Sequence, residues 1–434
     1  MSLQAGVGTR DISPRQPLFL VGYPHVDRIS SGIHDPLFAS ALCLRDGDDA
    51  ILSVAVDILF VAHRTARACR QAISDRTGIP SENILISATH THSGPVTSEM
   101  LSWRDDPTVP GPDTSYMARF EQGIVEAAVE AAESATDAQI AVTTAHVEGV
   151  GGNRLAEDGV RDAKVGLLYV RRLDGTPFAL QMVYSMHPTV LHEDSALVSA
   201  DFPAYTRLHL GTVFPGLRVL YHNGSCGNLS PRYHVKGQTF EEANRLGTHL
   251  GIQVAAALTE LSDRDFSTSL SLGAKRVFVD LPPRRFCSVE EAERELEEAV
   301  AEYEQLKREK APHGPVRTAE CTVFGAEERV TLAQAQASGD TDRVLEEYLP
   351  VEVQVLRAGD AFLVGFPGEC FVEYSLQLKE QVPGAFVISL ANGELQGYIP
   401  TPEAVGYEAR LSFFEPAAGD VLVSTALELI DGLG

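Results

Sequence analysis

Apolar positions along this chain follow two rhythms, and each predicts a kind of element. Unbroken runs of strand length recur at Ile51-Leu52-Ser53-Val54-Ala55-Val56-Asp57-Ile58-Leu59-Phe60-Val61, Ile84-Leu85-Ile86-Ser87-Ala88, Phe178 to Met186, Leu217 to Tyr221 and Ala361 to Phe366. Such runs belong to strands buried on both faces. Gln139 to His146 and Val165 to Val170 read as further strands, on either side of Gly149-Val150-Gly151-Gly152-Asn153-Arg154. Helices are expected from the composition of Arg64 to Gly78 and from the three- and four-residue spacing of Tyr116 to Glu133. The opening, from Gly6 through Ile12-Ser13-Pro14 and the Gly22-Tyr23-Pro24 turn to Ile33-His34-Asp35-Pro36, reads as loops and short strands. Strands alternating with helices indicate an α/β class, a mixed sheet core with flanking helices.

One segment breaks the alternation. Ser288-Val289-Glu290-Glu291 has the pattern of a capping box, and Val289, Ala292, Leu296, Ala299, Tyr303 and Leu306 then repeat at helical spacing, with acids early and bases late. After a break at Pro312-His313-Gly314-Pro315, one or two more helices are expected over Glu327 to Leu349. Residues from about 288 to 349 are therefore read as a helical insertion, its charge run a solvated face, in a single domain spanning 1–434.

Charge narrows the function. Sixty acidic residues against 35 basic ones give a formal net charge of -25, which disfavours nucleic acid and anionic membrane surfaces and favours a small-molecule substrate. The N-terminus shows no basic region followed by an apolar one, and no apolar stretch is long enough to span a bilayer, so a soluble, cytoplasmic protein is expected. Cys43, Cys69, Cys226, Cys287, Cys321 and Cys370 lack C-x-x-C spacing and read as free, mostly buried thiols.

The chemistry gathers at strand ends. The apolar runs release His90-Thr91-His92-Ser93-Gly94-Pro95, His187-Pro188-Thr189, Asn223-Gly224-Ser225-Cys226-Gly227-Asn228-Leu229-Ser230-Pro231-Arg232 and Pro367-Gly368-Glu369. Ligand sites in α/β sheets collect at strand C-termini, so these loops can meet in one cleft. On a continuing strand, His90 and His92 would leave the sheet side by side, as a metal site, an acid/base pair or a polar turn. Two or three imidazoles with a carboxylate match a catalytic zinc sphere. His34, His192 and His222 lie near the same motifs, and Asp57 either orients a ligand histidine or marks a strand end and caps the segment after it. Ser225 and Ser230 are candidate nucleophiles, but the G-x-S-x-G elbow is absent, as are G-x-G-x-x-G and P-loop motifs.

Ala88-Thr89-His90-Thr91-His92-Ser93-Gly94-Pro95, His187-Pro188-Thr189, Gly227-Asn228-Leu229-Ser230-Pro231, Pro367-Gly368-Glu369 and Gly397-Tyr398-Ile399-Pro400-Thr401-Pro402-Glu403 together resemble the catalytic domain of the neutral/alkaline non-lysosomal ceramidase family. Gly6-Val7-Gly8, Asp11-Ile12-Ser13-Pro14 and His34-Asp35-Pro36-Leu37 resemble the start of that domain. The resemblance implies a zinc (Zn2+) amidohydrolase. In it, His90, His187, Glu369 and Tyr398 bind the metal, and His92, Arg154 and Tyr407 surround the reacting carbonyl. Ser230 is placed near the reaction centre as a positioning hydrogen-bonder. Asn228 stands where the family usually has Asp and Arg232 where it often has Asn, which makes a smaller or more soluble N-acyl compound as good an expectation as a lipid such as ceramide. An ester or lactone hydrolase, and a binding protein that keeps the fold, are the alternatives.

Overall fold

The computed structural model describes residues 2–23 and 26–434. The expected Gly22-Tyr23-Pro24 turn runs into Pro24, outside the described residues. Two sheets form the centre. The larger has eight strands in the order Arg218–Asn223, Pro177–Tyr184, Lys164–Arg172, Thr136–His146, Gln4–Asp11, Phe38–Asp46, Asp49–Val56, Ile84–Ala88. The smaller has four: Leu272–Val279, Val351–Ala358, Ala361–Gly365 and Ala385–Ile388.

Within these two sheets most neighbouring strands are antiparallel, but three pairs are parallel: Asp49–Val56 with Ile84–Ala88, Pro177–Tyr184 with Arg218–Asn223, and Ala361–Gly365 with Ala385–Ile388. Parallel partners need a crossover, and the helices His63–Thr77, Phe202–Val213 and Val372–Gln381 supply one each. These crossover units deliver the polar loops with the candidate histidines and glutamate to one side of the molecule.

The two sheets pack face to face. Leu42, Leu85 and Leu168 of the larger share a buried cluster with Leu356, Leu363 and Phe386 of the smaller. Alternate residues of the same strands, such as Leu52 and Ile86, face outward and pack under Phe120 and Ile124 of the helix Thr114–Glu133. Leu246 and Leu250 of Phe240–Thr259 cover Leu180 and Tyr221, and Leu422 of Ala418–Asp431 covers the smaller sheet. Both faces of strands such as Asp49–Val56, Ile84–Ala88 and Ala361–Gly365 are dry, which explains why their sequences are continuous apolar runs, whereas Thr136–His146 and Leu272–Val279 keep exposed residues.

Some expectations need correction. The opening segment and Phe38–Asp46 form two long paired strands in the middle of the large sheet. Their glycines and alanines hide the apolar signal because a helix lies directly on them: a Cβ on Gly6 would come within 2.0 Å of the Ala131 carbonyl, and one on Gly8 within 2.0 Å of the Ala127 carbonyl. The run predicted to continue to Val61 leaves the sheet at Val56. Asp57 then accepts from the Phe38 amide at 2.9 Å and takes a two-point ion pair from Arg207 at 2.9 and 2.7 Å. Asp57 thus marks the strand end. It makes no hydrogen bond to a candidate histidine, and it does not cap the next helix, whose cap position is Ala62.

The predicted insertion lies between Leu272–Val279 and Val351–Ala358, which pair as neighbours with Val279 opposite Val351. It contains the helices Val289–Arg308, His313–Ser338 and Asp340–Tyr348. Ser288 Oγ accepts from the Glu291 amide at 3.2 Å, as a capping residue should. The expected break at Pro312-His313-Gly314-Pro315 is instead the start of the second helix. Pro315 falls in its first turn, where a missing N–H costs nothing.

Candidate active site

The strand Ile84–Ala88 ends two residues before His90, and the backbone there turns out of the β region: His90 has φ 72°. A non-glycine residue in this left-handed region is strained and is held by its surroundings. Here the Thr89 amide donates to the Val56 carbonyl at 2.8 Å and the His90 amide to the Ile58 carbonyl at 2.9 Å. His90 and His92 therefore do not project side by side from a pleat, as the sequence pattern suggests. They meet edge to face, ring centroids 4.9 Å apart at 84°.

The partners of the three histidines fix their protons. A carbonyl oxygen only accepts, so a ring nitrogen bonded to one carries hydrogen. His90 Nδ1 donates to the Leu59 carbonyl at 2.9 Å, His92 Nδ1 to the Gly22 carbonyl at 2.9 Å, and His187 Nδ1 to the Cys226 and Leu229 carbonyls at 2.7 and 2.9 Å. In the neutral form each ring then has a lone pair on Nε2. These lone pairs converge. His90 Nε2 lies 3.0 Å from His187 Nε2, and Glu369 Oε2 lies 3.1 Å from His187 Nε2 and 3.3 Å from His90 Nε2.

Three acceptors packed this closely repel one another unless a positive charge lies among them. Ligand atoms around a tetrahedral ion with bonds of about 2.0–2.1 Å are separated by roughly 3.3 Å, close to the 3.0–3.3 Å edges of this triangle. Ring nitrogens of His90, His92 and His187 also lie within 4.8 Å of one another, and among the described residues His92 Nε2 is buried without a partner. The donor set fits a divalent cation of the zinc type, with each imidazole oriented by a backbone carbonyl behind it.

The electrostatics agree. Burial, with the cationic Arg154 nearby, pushes the His187 imidazole down to about 4, so it offers its lone pair at neutral pH. Burial and the other two histidines hold His92 well below the usual imidazole range. For Glu369, burial alone would favour the protonated form; positive charge at the His90 and His187 positions, the place a cation would take, keeps the carboxyl well below its ordinary value.

The other resemblance-derived residues surround this centre. Glu369 and Tyr398 are direct neighbours on a short parallel ladder, and Tyr398 lines the same cavity. Arg154 follows a short strand paired with Leu229–Ser230. Its Nε donates to Glu408 Oε1 at 2.8 Å, its guanidinium lies 5.5 Å from the ring centroids of both Tyr398 and Tyr407, and its Nη1 reaches within 3.5 Å of His187 Nε2. Among the described residues its Nη2 is buried with no partner. Burial pushes the Tyr398 and Tyr407 hydroxyls above the ordinary phenol range, so both are neutral donors. Ser230 lines the cavity, and its Oγ accepts from the Arg232 amide at 3.3 Å.

Not every candidate comes to the site. His34 stacks on Phe240 at 3.7 Å, His222 is buried against Ser87 at 2.8 Å, and Ser225 is fully buried rather than presented as a nucleophile. His192 lines the cavity and is bonded to Gln238 at 2.6 Å. Asn228 has a structural reason to differ from Asp. It donates to the Glu373 carboxylate at 2.8 and 3.1 Å and accepts from the Val372 amide at 2.9 Å, so a carboxylate in its place would face another carboxylate.

The site opens into a cavity of about 540 Å³, within the size range of small-molecule pockets. Leu59, Phe60, Met100, Trp103 and Leu411 give it apolar walls. The helical insertion closes one side with Arg317, Cys321, Phe324 and Glu328. Its second helix is thus a wall of the site, while the charge run of the first, Val289–Arg308, is largely exposed, the solvated face expected. Sequence reasoning also missed Glu408, the buried counter-ion of Arg154. Its only signal is its position next to Tyr407.

Residues 3–214 match the family model described as neutral/alkaline non-lysosomal ceramidase, N-terminal. The chain is similar to that family. A neutral ceramidase of Mycobacterium tuberculosis is 22% identical to the ceramidase-like chain over 522 aligned positions, covering 99% of it and 77% of the relative. The neutral ceramidase of Drosophila melanogaster is 25% identical over 224 positions, 48% of this chain and only 32% of the relative. Thus the match spans about a third of the Drosophila protein. The crystal structure of neutral ceramidase from Pseudomonas aeruginosa superposes with a TM-score of 0.77 at 17% identity, covering 100% of this chain and 74% of that one, and a structure titled ceramidase complexed with C2 matches equally well. At that identity the likeness shows a shared fold.

Proposed function

We propose that the chain is a zinc-dependent hydrolase that cleaves an N-acyl amide to a carboxylate and an amine. The observation that carries this reading is the triangle of His90 Nε2, His187 Nε2 and Glu369 Oε2, with edges of 3.0 to 3.3 Å, beside a cavity that His90 and Glu369 line and that has apolar walls. His90, His187 and Glu369, with Tyr398 beside them, would hold the metal, and His92 would stand just outside. A bound zinc ion supplies Lewis acidity and a water that ionises near neutral pH.

The protein's own groups do the rest. Arg154 Nη2, buried and unpartnered, is a donor for the oxygen that gains charge as the carbonyl is attacked, and the neutral Tyr407 hydroxyl is a second one. His92 Nε2 takes a proton from the attacking water and returns it to the departing amine nitrogen, while the Gly22 carbonyl holds the ring in the required tautomer. Ser230 positions the substrate. The names of the relatives support an amide substrate.

The experiment is an assay of zinc-loaded protein on matched N-acyl and O-acyl substrates. Amide cleavage that disappears in His90→Ala supports the reading. Ester cleavage without any amide cleavage assigns the site to ester or lactone hydrolysis, and no turnover of either assigns the fold to binding.

A further inference from the structure

Within a chain of net charge -25, the cavity is locally cationic: Arg154, Arg232, Lys236 and Arg317 line it against the carboxyl groups of Glu328 and Glu369. Most of these charges are already used. Arg154 is paired with Glu408 at 2.8 Å, Arg317 with Glu193 and Glu320 at 2.7 and 2.8 Å, and Glu369 belongs to the metal triangle. Glu328 is bonded to Ser102 and Trp103, and burial raises its carboxyl to about 7, which leaves Arg232 and Lys236. Among the described residues neither makes an ion pair, and the contacts of the Arg232 guanidinium are the Arg154 carbonyl at 3.5 Å and Cys321 Sγ at 3.8 Å.

The cavity is also polar in a defined direction. Phe60 lies against His90 with ring centroids 5.4 Å apart, and Trp103 lies 6.4 Å beyond Phe60, so the apolar wall flanks the triangle on the His90 side. Arg154 touches His187 at 3.5 Å and Arg232 reaches Arg154, so the cationic wall flanks it on the His187 side. A substrate whose amide carbon sits at the triangle has its apolar half on one side and its other half among unpaired cations.

Building on the amide-hydrolase reading, we propose that the substrate is an N-acyl compound whose amine half carries a carboxylate, an N-acyl amino acid, held by Arg232 with Lys236 at the rim. A guanidinium always carries its charge and presents a fork that matches a carboxylate, so an unpaired arginine in a cavity favours an anion over a neutral hydroxyl. Lys236 adds attraction at the entrance, where the rest of the protein repels anions.

Trp103 is the sole tryptophan of the chain and lines the cavity, so its fluorescence reports occupancy. The test is a titration of the full-length, zinc-loaded protein with N-dodecanoylglycine and N-dodecanoylethanolamine, which share their acyl chain and differ in the carboxylate. A charge-assisted contact of this kind gives the glycine conjugate at least about a ten-fold advantage in Kd. In Arg232→Ala that ratio falls at least about three-fold, whereas Arg232→Lys retains most of it. A wild-type ratio below ten-fold, or an Arg232→Ala ratio equal to wild type, overturns the proposal. Because binding is read separately from turnover, a protein that prefers the anion yet cleaves neither amide refutes the hydrolase reading alone, and one that cleaves only the neutral amide refutes the anionic substrate alone.

Discussion

Removing the Glu408 carboxylate should cost both stability and turnover, for separable reasons. Glu408 is 1% exposed and Arg154 6%, and their ion pair is 2.8 Å long. Glu408→Ala leaves a buried guanidinium with no counter-ion, a change worth about 3–5 kcal/mol when one partner of such a pair is deleted. With roughly 2.1 cal/mol/K of unfolding entropy per residue, this 434-residue chain unfolds with about 0.9 kcal/mol/K, so the melting temperature should fall by about 3–5 °C. Turnover should fall as well, because Glu408 fixes the direction in which Arg154 Nη2 points. The double variant Arg154→Met/Glu408→Leu separates the effects. It buries apolar groups in place of the pair and should recover most of the stability, yet stay about 10²–10³-fold down in kcat because the carbonyl donor is gone. Thermal unfolding and steady-state hydrolysis of an N-acyl substrate measure both. A Glu408→Ala protein with unchanged melting temperature and kcat would refute the reasoning.

Other expectations rest on the same structure. Burial holds the His222 imidazole down to about 3, whereas an unfolded histidine titrates near 6.5. The unfolded chain therefore binds a proton first as pH falls, and stability should drop by about 2–3 kcal/mol between pH 7 and pH 4.5 on this account alone. Urea unfolding at the two pH values should show a shallower loss in His222→Gln, and an identical loss would exclude His222 as the cause. Gly368 has φ 73°, and a Cβ there would lie 2.9 Å from the Gly397 carbonyl, so Gly368→Ala should lower stability by about 1–3 kcal/mol and weaken metal retention through the neighbouring Glu369. Competition with a chromogenic chelator would read that weakening. Leu363→Ala, at the fully dry contact between the sheets, should cost about 2–5 kcal/mol and leave kcat intact, as chemical unfolding and the hydrolysis assay would show.

Much of the scaffold could be read directly because its inner strands are dry on both faces. Ile84–Ala88 and Ala361–Gly365 need apolar residues at every position, and the polar loops after them stand out in the sequence. The strands Gln4–Asp11 and Phe38–Asp46 were obscured because close helix packing requires small residues where a strand pattern would show large ones. The histidines, Glu369, Tyr398, Arg154, Tyr407 and Ser230 were within reach through their motifs. The groups that orient them were not. The carbonyls of Leu59, Gly22 and Cys226 have no side-chain signature, the left-handed backbone of His90 is imposed by the hydrogen bonds around it, and one wall of the cavity comes from an insertion far away in sequence.

The central claim is that His90, His187 and Glu369 hold a zinc ion while His92 moves protons beside it. Metal content per chain, measured after equilibration with zinc and removal of the excess, tests this most directly. The account predicts one equivalent in the wild type, loss in His90→Ala, His187→Ala and Glu369→Ala, and retention in His92→Ala with turnover abolished. A wild-type protein that retains no zinc, or a His92→Ala variant that loses it as completely as His90→Ala, would contradict it.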